Sequence, residues 1–390
     1  MIYSNLLKLC TLILLTSIIS CKNEPATIKI GVYGPFSGGS APMGISMKNG
    51  IRLAADEINA AGGLLGKKIE LIERDDEAKN EKGGQVVQEL LNKENVVAIL
   101  GPVNTGVAEA STKYSNEKKV PQIIPVSAGA KVNDLFAQNP DNYIFRIAAN
   151  DYVQSEMIVR EGVDVRKNTK VALLCDETNY GQGGRAKIET ALAKRNITAV
   201  SVGKFKLKDT DMTPQLQEAK AKGATVLMVY GIGPELAAIA NSLEKIGWKV
   251  DMIGGWTLGM NNFINNAGKN GNGATMPQTF IEKGAASDKA KKFVTDYQAK
   301  YNEKPIAVAV AAAQGYDAMY LLANAITAAK TTDGPKIKEA LENLGAYDGV
   351  TSSYAKPFSK TDHEAIHEDN VMMGRVMEGA VTPNAIPAKQ

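Results

Sequence analysis

The sequence has few cysteines and histidines, and its charges are nearly balanced. It holds three cysteines and two histidines in 390 residues, with 45 basic and 42 acidic side chains. Cys10 and Cys21 lie near the N-terminus, so Cys175 is the one cysteine of the main body and an internal disulfide is excluded there. Cys175 ends an apolar run, and we expect it to be a buried, small apolar side chain. A formal charge of +3 without a basic run excludes nucleic acid as a partner.

The sequence also lacks an uninterrupted hydrophobic run that spans a bilayer comfortably. Residues 9–19 are apolar and follow Lys8, which is typical of the core of a signal peptide. Ile-Ile-Ser-Cys closes this run and resembles the lipobox of bacterial lipoproteins, although an uncleaved anchor is the alternative. We therefore expect residues 1–20 to be a signal peptide, Cys21 to carry the lipid and residues 21–26 to form a linker. One lipidated terminus would hold the body in the periplasm or at the outer face of a bacterial membrane.

What is present is a regular alternation of strand and helix patterns. Residues 28–77 contain a strand, a glycine-rich loop, an amphipathic helix, a turn and a second strand. The alternation restarts after residues 143–146 and continues to about residue 253, which predicts two doubly wound α/β sheets with a cleft between their loop ends. A chain of 390 residues also favours about two domains. Residues 261–273 are rich in glycine and asparagine and are predicted to be loop, whereas residues 305–329 are predicted to form a helix covered by protein on all sides.

Several short motifs occur in an order that resembles a known family. They are Gly-Pro-Phe-Ser-Gly at 34–38, Asn-Ala-Ala-Gly-Gly-Leu-Leu-Gly-Lys-Lys at 59–68, Phe145-Arg146 with Asp151 and Gln154, Tyr-Gly-Gln-Gly at 180–183 and Tyr-Asp-Ala at 316–318. This series resembles that of the periplasmic binding proteins for leucine, isoleucine and valine, in register from about residue 27 to 379. The resemblance implies a type I periplasmic-binding fold, in which two α/β lobes trap a small solute when they close.

The resemblance also implies where the lobes exchange chain. By analogy, three crossovers fall near Ala148, Pro277 and Thr351. The first lobe would then hold residues 27–148 plus 278–350, and the second would hold residues 149–277 plus 351–390.

Residues 101–106 follow a strand and open a helix, which favours an anion in front of them. Unpaired backbone N-H groups and the positive helix end would attract a carboxylate. Thr105, next to Asn104, can add a hydroxyl and matches the family position that holds the ligand carboxylate; an ordinary helix cap is the alternative. Val126, Ser127 and Ala128 match the second binding loop of the same lobe, although family members commonly have a hydroxyl residue where Ala128 stands.

Further ligand contacts are implied on both sides of the cleft. Tyr180 matches the tyrosine that the second lobe brings onto the ligand. Ile232 stands where amino-acid binders often carry a tyrosine, and Met43 where they often carry an aromatic residue. The resemblance therefore implies a cleft in which these two positions are aliphatic.

Trp256 is the main departure from the amino-acid binders. That position typically holds a glutamate that neutralises the ligand ammonium, and a buried, unpaired ammonium would cost several kcal/mol. An amino acid is thus expected only if Asp151, Glu177 or another carboxylate substitutes, or if Trp256 contacts the ammonium through its ring. An aliphatic or aromatic carboxylate needs no such partner, and both ligand classes stay open.

The two histidines belong to a literal H-E-x-x-H motif, His363-Glu364-Ala365-Ile366-His367. In zinc metallopeptidases this motif lies on a helix, where both histidines bind zinc. The turn-like residues 359–362 before it and the strand-like residues 371–376 after it are unfavourable for such a helix. A metallopeptidase is kept as an alternative, and no metal is expected.

These patterns predict a solute-binding lipoprotein of an ABC importer, with neither catalytic residues nor a cofactor. Its expected partners are a small carboxylate-bearing ligand and an ABC permease in the inner membrane, and we expect a monomer. Binding would shift the balance between open and closed lobes. An extracytoplasmic sensor that feeds a signalling receptor is the alternative function.

Overall fold

The computed structural model describes residues 27–137 and 139–384 of the chain. The predicted signal peptide, the lipid site at Cys21, the linker 21–26 and residues 385–390 of the second lobe lie outside the described residues. Among the helices within them, none combines the length and the apolar character that crossing a bilayer requires.

The first lobe is built on a five-stranded parallel sheet with the order β2-β1-β3-β4-β5. Its inner strands are buried and apolar, as parallel strands covered on both faces require. The strands are β1 Ile28–Gly34, β2 Ile69–Asp75, β3 Ala98–Leu100, β4 Gln122–Ile124 and β5 Ile144–Arg146. The helices between them are α1 Ala41–Ala60, α2 Asn80–Asn92, α3 Thr105–Glu117 and α4 Lys131–Asp134.

The second lobe repeats this plan. Its first five strands lie in the order β7-β6-β8-β9-β10, which is the order of the first sheet, and two further antiparallel strands extend the edge beyond β10. The prediction of two similar open sheets is thereby confirmed. The strands are β6 Val171–Asp176, β7 Ser201–Phe205, β8 Val226–Tyr230, β9 Asp251–Gly254, β10 Thr275–Gln278, β13 Met372–Met377 and β14 Ala380–Pro383. The helices are α5 Asp151–Val159, α6 Asn179–Ala193, α7 Thr213–Ala221, α8 Glu235–Lys245 and α9 Asn261–Ala267.

Between β10 and β13 the chain returns to the first lobe. The helices α10 Asp288–Tyr301, α11 Ala309–Ala329 and α12 Gly334–Glu342 are followed by a small hairpin of β11 Tyr347–Asp348 and β12 Ser353–Tyr354. Helix α11 packs along α1 and is buried on most of its surface, which confirms the predicted protein-covered helix. Its Asp317 accepts hydrogen bonds from the backbone N-H groups of Val350 and Thr351 at 2.9 and 2.8 Å. These bonds hold the turn between β11 and β12 against α11.

One predicted loop is a helix in the structure. The stretch 261–273 forms α9 and a short 3-10 helix at Gly268–Gly271 instead of an irregular segment. Asparagine and glycine are poor helix formers, but Phe263, Ile264 and Ala267 recur at helical spacing and are buried in the core of the second lobe. Tertiary burial therefore overrides the local preference.

Cys175 lies fully buried in β6 and forms no disulfide. Burial raises the pKa of its thiol far above the usual range, so the side chain stays protonated. The expectation of a small apolar side chain is confirmed.

Candidate ligand-binding site

The two lobes touch across the cleft that their strand ends form. The Asn179 side chain at the start of α6 donates to Glu109 of α3 at 2.6 Å, and Asn262 of α9 donates to the Gly39 carbonyl at 2.9 Å. The site residues predicted from sequence are buried in this arrangement, except Asn104, which is half-buried. The buried ones are Met43, Thr105, Val126, Ser127, Ala128, Tyr180, Ile232 and Trp256. The structure thus shows the lobes in a closed arrangement around these side chains.

The first lobe presents two buried hydroxyl groups that have no hydrogen-bond partner. Thr105 begins α3 and is 3% exposed, and Ser127 is 0% exposed; both hydroxyl oxygens are unpaired. Neither Thr105 nor Asn104 caps the helix by a side-chain hydrogen bond. The Asn104 amide nitrogen donates to the Ser40 hydroxyl at 3.2 Å, and the Asn104 Oδ1 has no partner. A Cβ at Gly129 would overlap the Thr105 side chain, so the loop of Ser127 lies directly against Thr105. Two hydroxyls and the free N-H groups of a helix start therefore occur together.

The second lobe presents Tyr180. The residue lies in the first turn of α6, is 4% exposed, and its hydroxyl makes no hydrogen bond. The centroid of its ring lies 4.6 Å from the centroid of the Tyr230 ring. A Cβ at Gly255 would lie 2.6 Å from the Tyr180 hydroxyl, so the loop that carries Trp256 lies close against the end of the Tyr180 side chain. Burial raises the pKa of Tyr180 far above its usual range, which keeps the hydroxyl able to donate.

Two glutamines hold the backbone of Trp256. The Gln154 side chain accepts from the Trp256 N-H at 3.0 Å, and the Gln278 side chain donates to its carbonyl at 2.9 Å. Gln154 in turn donates to the Ala149 carbonyl at 2.8 Å, at the junction of the two lobes. The position of Trp256 is therefore fixed by polar contacts on both sides of its peptide.

Asp151, which the sequence suggested only as a possible substitute for the missing glutamate, is buried beside the predicted ligand-binding residues. It is 0% exposed, its N-H donates to the Ala128 carbonyl at 2.8 Å, and one carboxylate oxygen accepts from the Tyr230 hydroxyl at 2.8 Å. The other oxygen has no partner. Asp151 thus lies between the loop of Ala128 and the tyrosine pair of the second lobe. Its sequence signal was weak, because an acidic residue in the first turn of a helix is ordinary.

Burial gives several carboxyl groups a raised pKa, about 7 for Asp76 and Asp151 and about 6 for Asp176 and Asp317. The folded chain then holds these protons more tightly than the unfolded chain, so the free energy of unfolding should fall as the pH rises from about 4 to 7. His363, whose pKa burial lowers, opposes this trend. We expect the Tm of the ligand-free protein to decrease between pH 5 and pH 7 in calorimetry.

The matched variant is Asp151→Asn, which removes one of these groups while keeping its shape. It should show a smaller decrease of Tm over the same pH range. A wild-type Tm that rises steadily from pH 5 to pH 7 would contradict the expected dominance of the buried carboxyls.

The H-E-x-x-H segment does not form the helix that a zinc site of this type requires. The His363 ring is buried, with Nδ1 2.9 Å from the Ile144 carbonyl and Nε2 3.2 Å from Glu342, whereas His367 is exposed. Glu364 is paired with Arg146. Within residues 27–137 and 139–384, no three histidine, cysteine or acidic side chains form a cluster suited to a metal ion. The geometry does not support the metallopeptidase alternative.

A family model and several known proteins are similar to this chain. The family model of the periplasmic binding proteins matches residues 27–379. The Leu/Ile/Val-binding protein homolog 3 of Brucella melitensis is 29% identical over 248 residues, which is 64% of this chain and 66% of the relative. The matched part therefore spans about two thirds of that relative's length.

Two solved structures share the fold. The branched-chain amino acid transporter substrate binding protein LivJ from Streptococcus pneumoniae, in complex with isoleucine, is 26% identical with a TM-score of 0.79, covering 91% of this chain and 98% of its own. A solute binding protein of an ABC transporter from R. palustris, in complex with 4-hydroxybenzoate, has a TM-score of 0.78 at 20% identity and covers 93% of this chain and 96% of its own. The resemblance and the type I fold inferred from the ordered motifs are confirmed, and membership of this family implies an extracytoplasmic location. With the match running from the first described strand to β13, the chain belongs to the periplasmic binding protein family.

Proposed function

We propose that this chain is the solute-binding component of an ABC importer and that its lobes close on a small ligand bearing a carboxylate. The observation that carries the proposal is the pair of buried, unpaired hydroxyls of Thr105 and Ser127 beside the free N-H groups at the start of α3. A buried polar group without a partner costs about 1–3 kcal/mol. A ligand carboxylate would remove that cost at both hydroxyls and gain charge-assisted hydrogen bonds.

An aliphatic amino acid is the ligand class that the rest of the cleft favours. The unpaired oxygen of Asp151 offers an ammonium the partner that Trp256 does not. Met43, Ile232 and Trp256 are buried and apolar, and would surround a hydrocarbon side chain, which contributes about 1.5–3 kcal/mol when fully buried. The names of the Brucella relative and of LivJ, which was solved with isoleucine, agree with this class.

An aromatic carboxylate is the second candidate. Trp256 adds a large flat surface, and the unpaired Tyr180 hydroxyl could bind a phenolic oxygen. The R. palustris protein solved with 4-hydroxybenzoate gives the candidate a structural parallel, although its identity to this chain supports the fold alone.

Matched ligands separate the candidates. We expect L-isoleucine, L-leucine or L-valine to bind the purified protein with a Kd of micromolar order, about 8 kcal/mol, in titration calorimetry. Removing the amino group, as in 3-methylpentanoate for isoleucine, should weaken binding by more than about tenfold. Equal or tighter binding of 4-hydroxybenzoate would establish the second candidate instead. If neither series binds, the carboxylate-binding function is wrong.

The cellular setting belongs to the same proposal. Cys21 would carry the lipid, and the protein would be a monomer in the periplasm or at the outer face of a bacterial membrane. A permease in the inner membrane would receive the closed form. The proposed lobe boundaries near residues 148 and 277 are supported by the course of the chain between its two sheets. After the proposed third boundary near residue 351, residues 363–365 still pair with β5 of the first lobe before the chain enters β13 of the second sheet. Permease and ATPase genes beside this one would favour import, whereas an adjacent sensor kinase would favour the sensor alternative. Mass spectrometry of the membrane-extracted protein should find a diacylglyceryl group on Cys21.

A further inference from the structure

We propose that Glu364 is a positioning residue for ligand binding, which acts on the loop of residues 126–129 through Arg146. We call residues 126–129 the ligand loop. The inference rests on the proposed function only in assigning ligand contact to this loop. It also gives a role to the glutamate of the H-E-x-x-H motif, which has none once the zinc interpretation is rejected.

Arg146 holds the ligand loop from behind. It ends β5, is 0% exposed, and its Nη1 donates to the Gly129 carbonyl at 2.7 Å and to the Ser127 carbonyl at 3.3 Å. These carbonyls lie on either side of Ala128. The guanidinium therefore fixes the peptide planes that direct the Ser127 side chain and the N-H groups of the loop.

Glu364 holds Arg146 by a bidentate ion pair. Arg146 Nε donates to Glu364 Oε2 at 2.8 Å and Nη2 donates to Oε1 at 2.5 Å, while Asn133 donates to Oε1 at 2.8 Å. The backbones are also paired, because the Arg146 N-H donates to the His363 carbonyl and the Ala365 N-H donates to the Arg146 carbonyl, both at 2.8 Å. The planar fork of the guanidinium then leaves Nη1 pointing at the loop.

The loop is buried, but it has few other backbone hydrogen bonds to the described residues. Its remaining backbone contacts are the Ser127 N-H on the Pro102 carbonyl at 3.3 Å, the Val132 N-H on Gly129 at 3.1 Å and the Asp151 N-H on Ala128 at 2.8 Å. Without Glu364, the buried guanidinium would keep the Ser127 and Gly129 carbonyls as hydrogen-bond partners but would lose its ion pair, and it would tend to leave its position toward water. The Ser127 and Gly129 carbonyls would then lose their shared donor, and the loop would sample other conformations.

The test compares Glu364→Gln with Glu368→Gln in the full chain. Glu368 also pairs with an arginine, Arg160, but both side chains are more than 40% exposed. In the ligand-free protein, Glu364→Gln should speed amide hydrogen exchange at residues 126–130 while exchange in β1 and β3 stays as in the wild type. It should also raise the Kd for L-isoleucine about tenfold or more, or about 1.4 kcal/mol. Glu368→Gln should change neither quantity.

A purely structural role predicts another pattern. A Glu364→Gln protein with a lower Tm, but with wild-type exchange at residues 126–130 and an unchanged Kd, would overturn the proposal. If that variant does not fold, the double variant Arg146→Met/Glu364→Leu replaces the pair by apolar groups, which is often neutral for stability. The folded double variant should still show fast loop exchange and weak binding, and wild-type values in it would overturn the proposal. If L-isoleucine does not bind the wild type, the amino-acid assignment fails separately, and loop exchange alone decides the role of Glu364.

Discussion

Asp151→Asn should lower the affinity for an aliphatic amino acid by about 100-fold. Removing one member of a buried charge pair costs about 2–5 kcal/mol, and about 1.4 kcal/mol corresponds to a factor of ten. Asparagine keeps the shape of the side chain and can still accept from Tyr230, whose hydroxyl contacts Asp151 at 2.8 Å. The loss should therefore reflect the missing charge. Titration calorimetry with L-isoleucine measures it directly.

The control for Asp151→Asn is a variant at the residue proposed to bind the opposite end of the ligand. Thr105→Val removes a hydroxyl that has no protein partner and is proposed to bind the ligand carboxylate. Because both ligands carry that carboxylate, the variant should weaken the binding of isoleucine and of 3-methylpentanoate by similar factors. Asp151→Asn should weaken the binding of isoleucine while leaving the affinity for 3-methylpentanoate almost unchanged. If Asp151→Asn binds isoleucine as the wild type does, another group holds the ammonium. If both variants leave binding unchanged, the ligand does not lie in this cleft.

The fold could be predicted from the sequence because its signals are local and repeated. The alternation of apolar and amphipathic segments predicted a strand, a loop, a helix, a turn and a strand over residues 28–77, and β1, α1 and β2 occur in that order. The sequence did not predict helix α9, because asparagines on either side of Phe263 and Ile264 favour a loop. What stabilises the helix is the burial of these two side chains in the core of the second lobe. In residues 261–267 the local preference is for a loop, and the burial of apolar side chains nevertheless stabilises a helix.

The site was predictable only in part, for a related reason. Thr105, Ser127, Tyr180 and Trp256 were identified through the resemblance to the family, and the structure buries all four. Asp151 joins them through contacts with Ala128 and with Tyr230, 79 positions along the chain, and no local pattern encodes that contact.

Glu364 shows how a short motif can mislead. Its letters match a zinc helix, but its conformation is set by Arg146, 218 positions away. Pairing of the 363–365 backbone with β5 competes with helix formation, because the same N-H and C=O groups cannot serve both. The motif had to be interpreted with its tertiary partner.

Gly50→Ala should destabilise the protein, although alanine is the better helix former. The helices α1 and α11 approach so closely that a Cβ at Gly50 would overlap the Ala312 carbonyl, and one at Gly315 would overlap the Met47 carbonyl. These are backbone atoms of neighbouring helices, so no side-chain rotation relieves the overlap. Overpacking of this kind costs about 1–3 kcal/mol and occasionally more, which exceeds the helix-propensity gain of about 1 kcal/mol.

The matched substitution is Gly183→Ala in α6, because a Cβ there would meet only Asp151 Oδ2, at an ordinary 3.4 Å. It should raise the Tm, as replacing a helical glycine without a clash usually does. The two variants therefore make the same chemical change with opposite expected signs, and thermal unfolding without ligand measures both. A Tm that rises for Gly50→Ala as well would mean that α1 and α11 can separate at little cost. Since α1 also carries Met43, a proposed ligand contact, such freedom would imply that the wall of the first lobe adapts to its ligand.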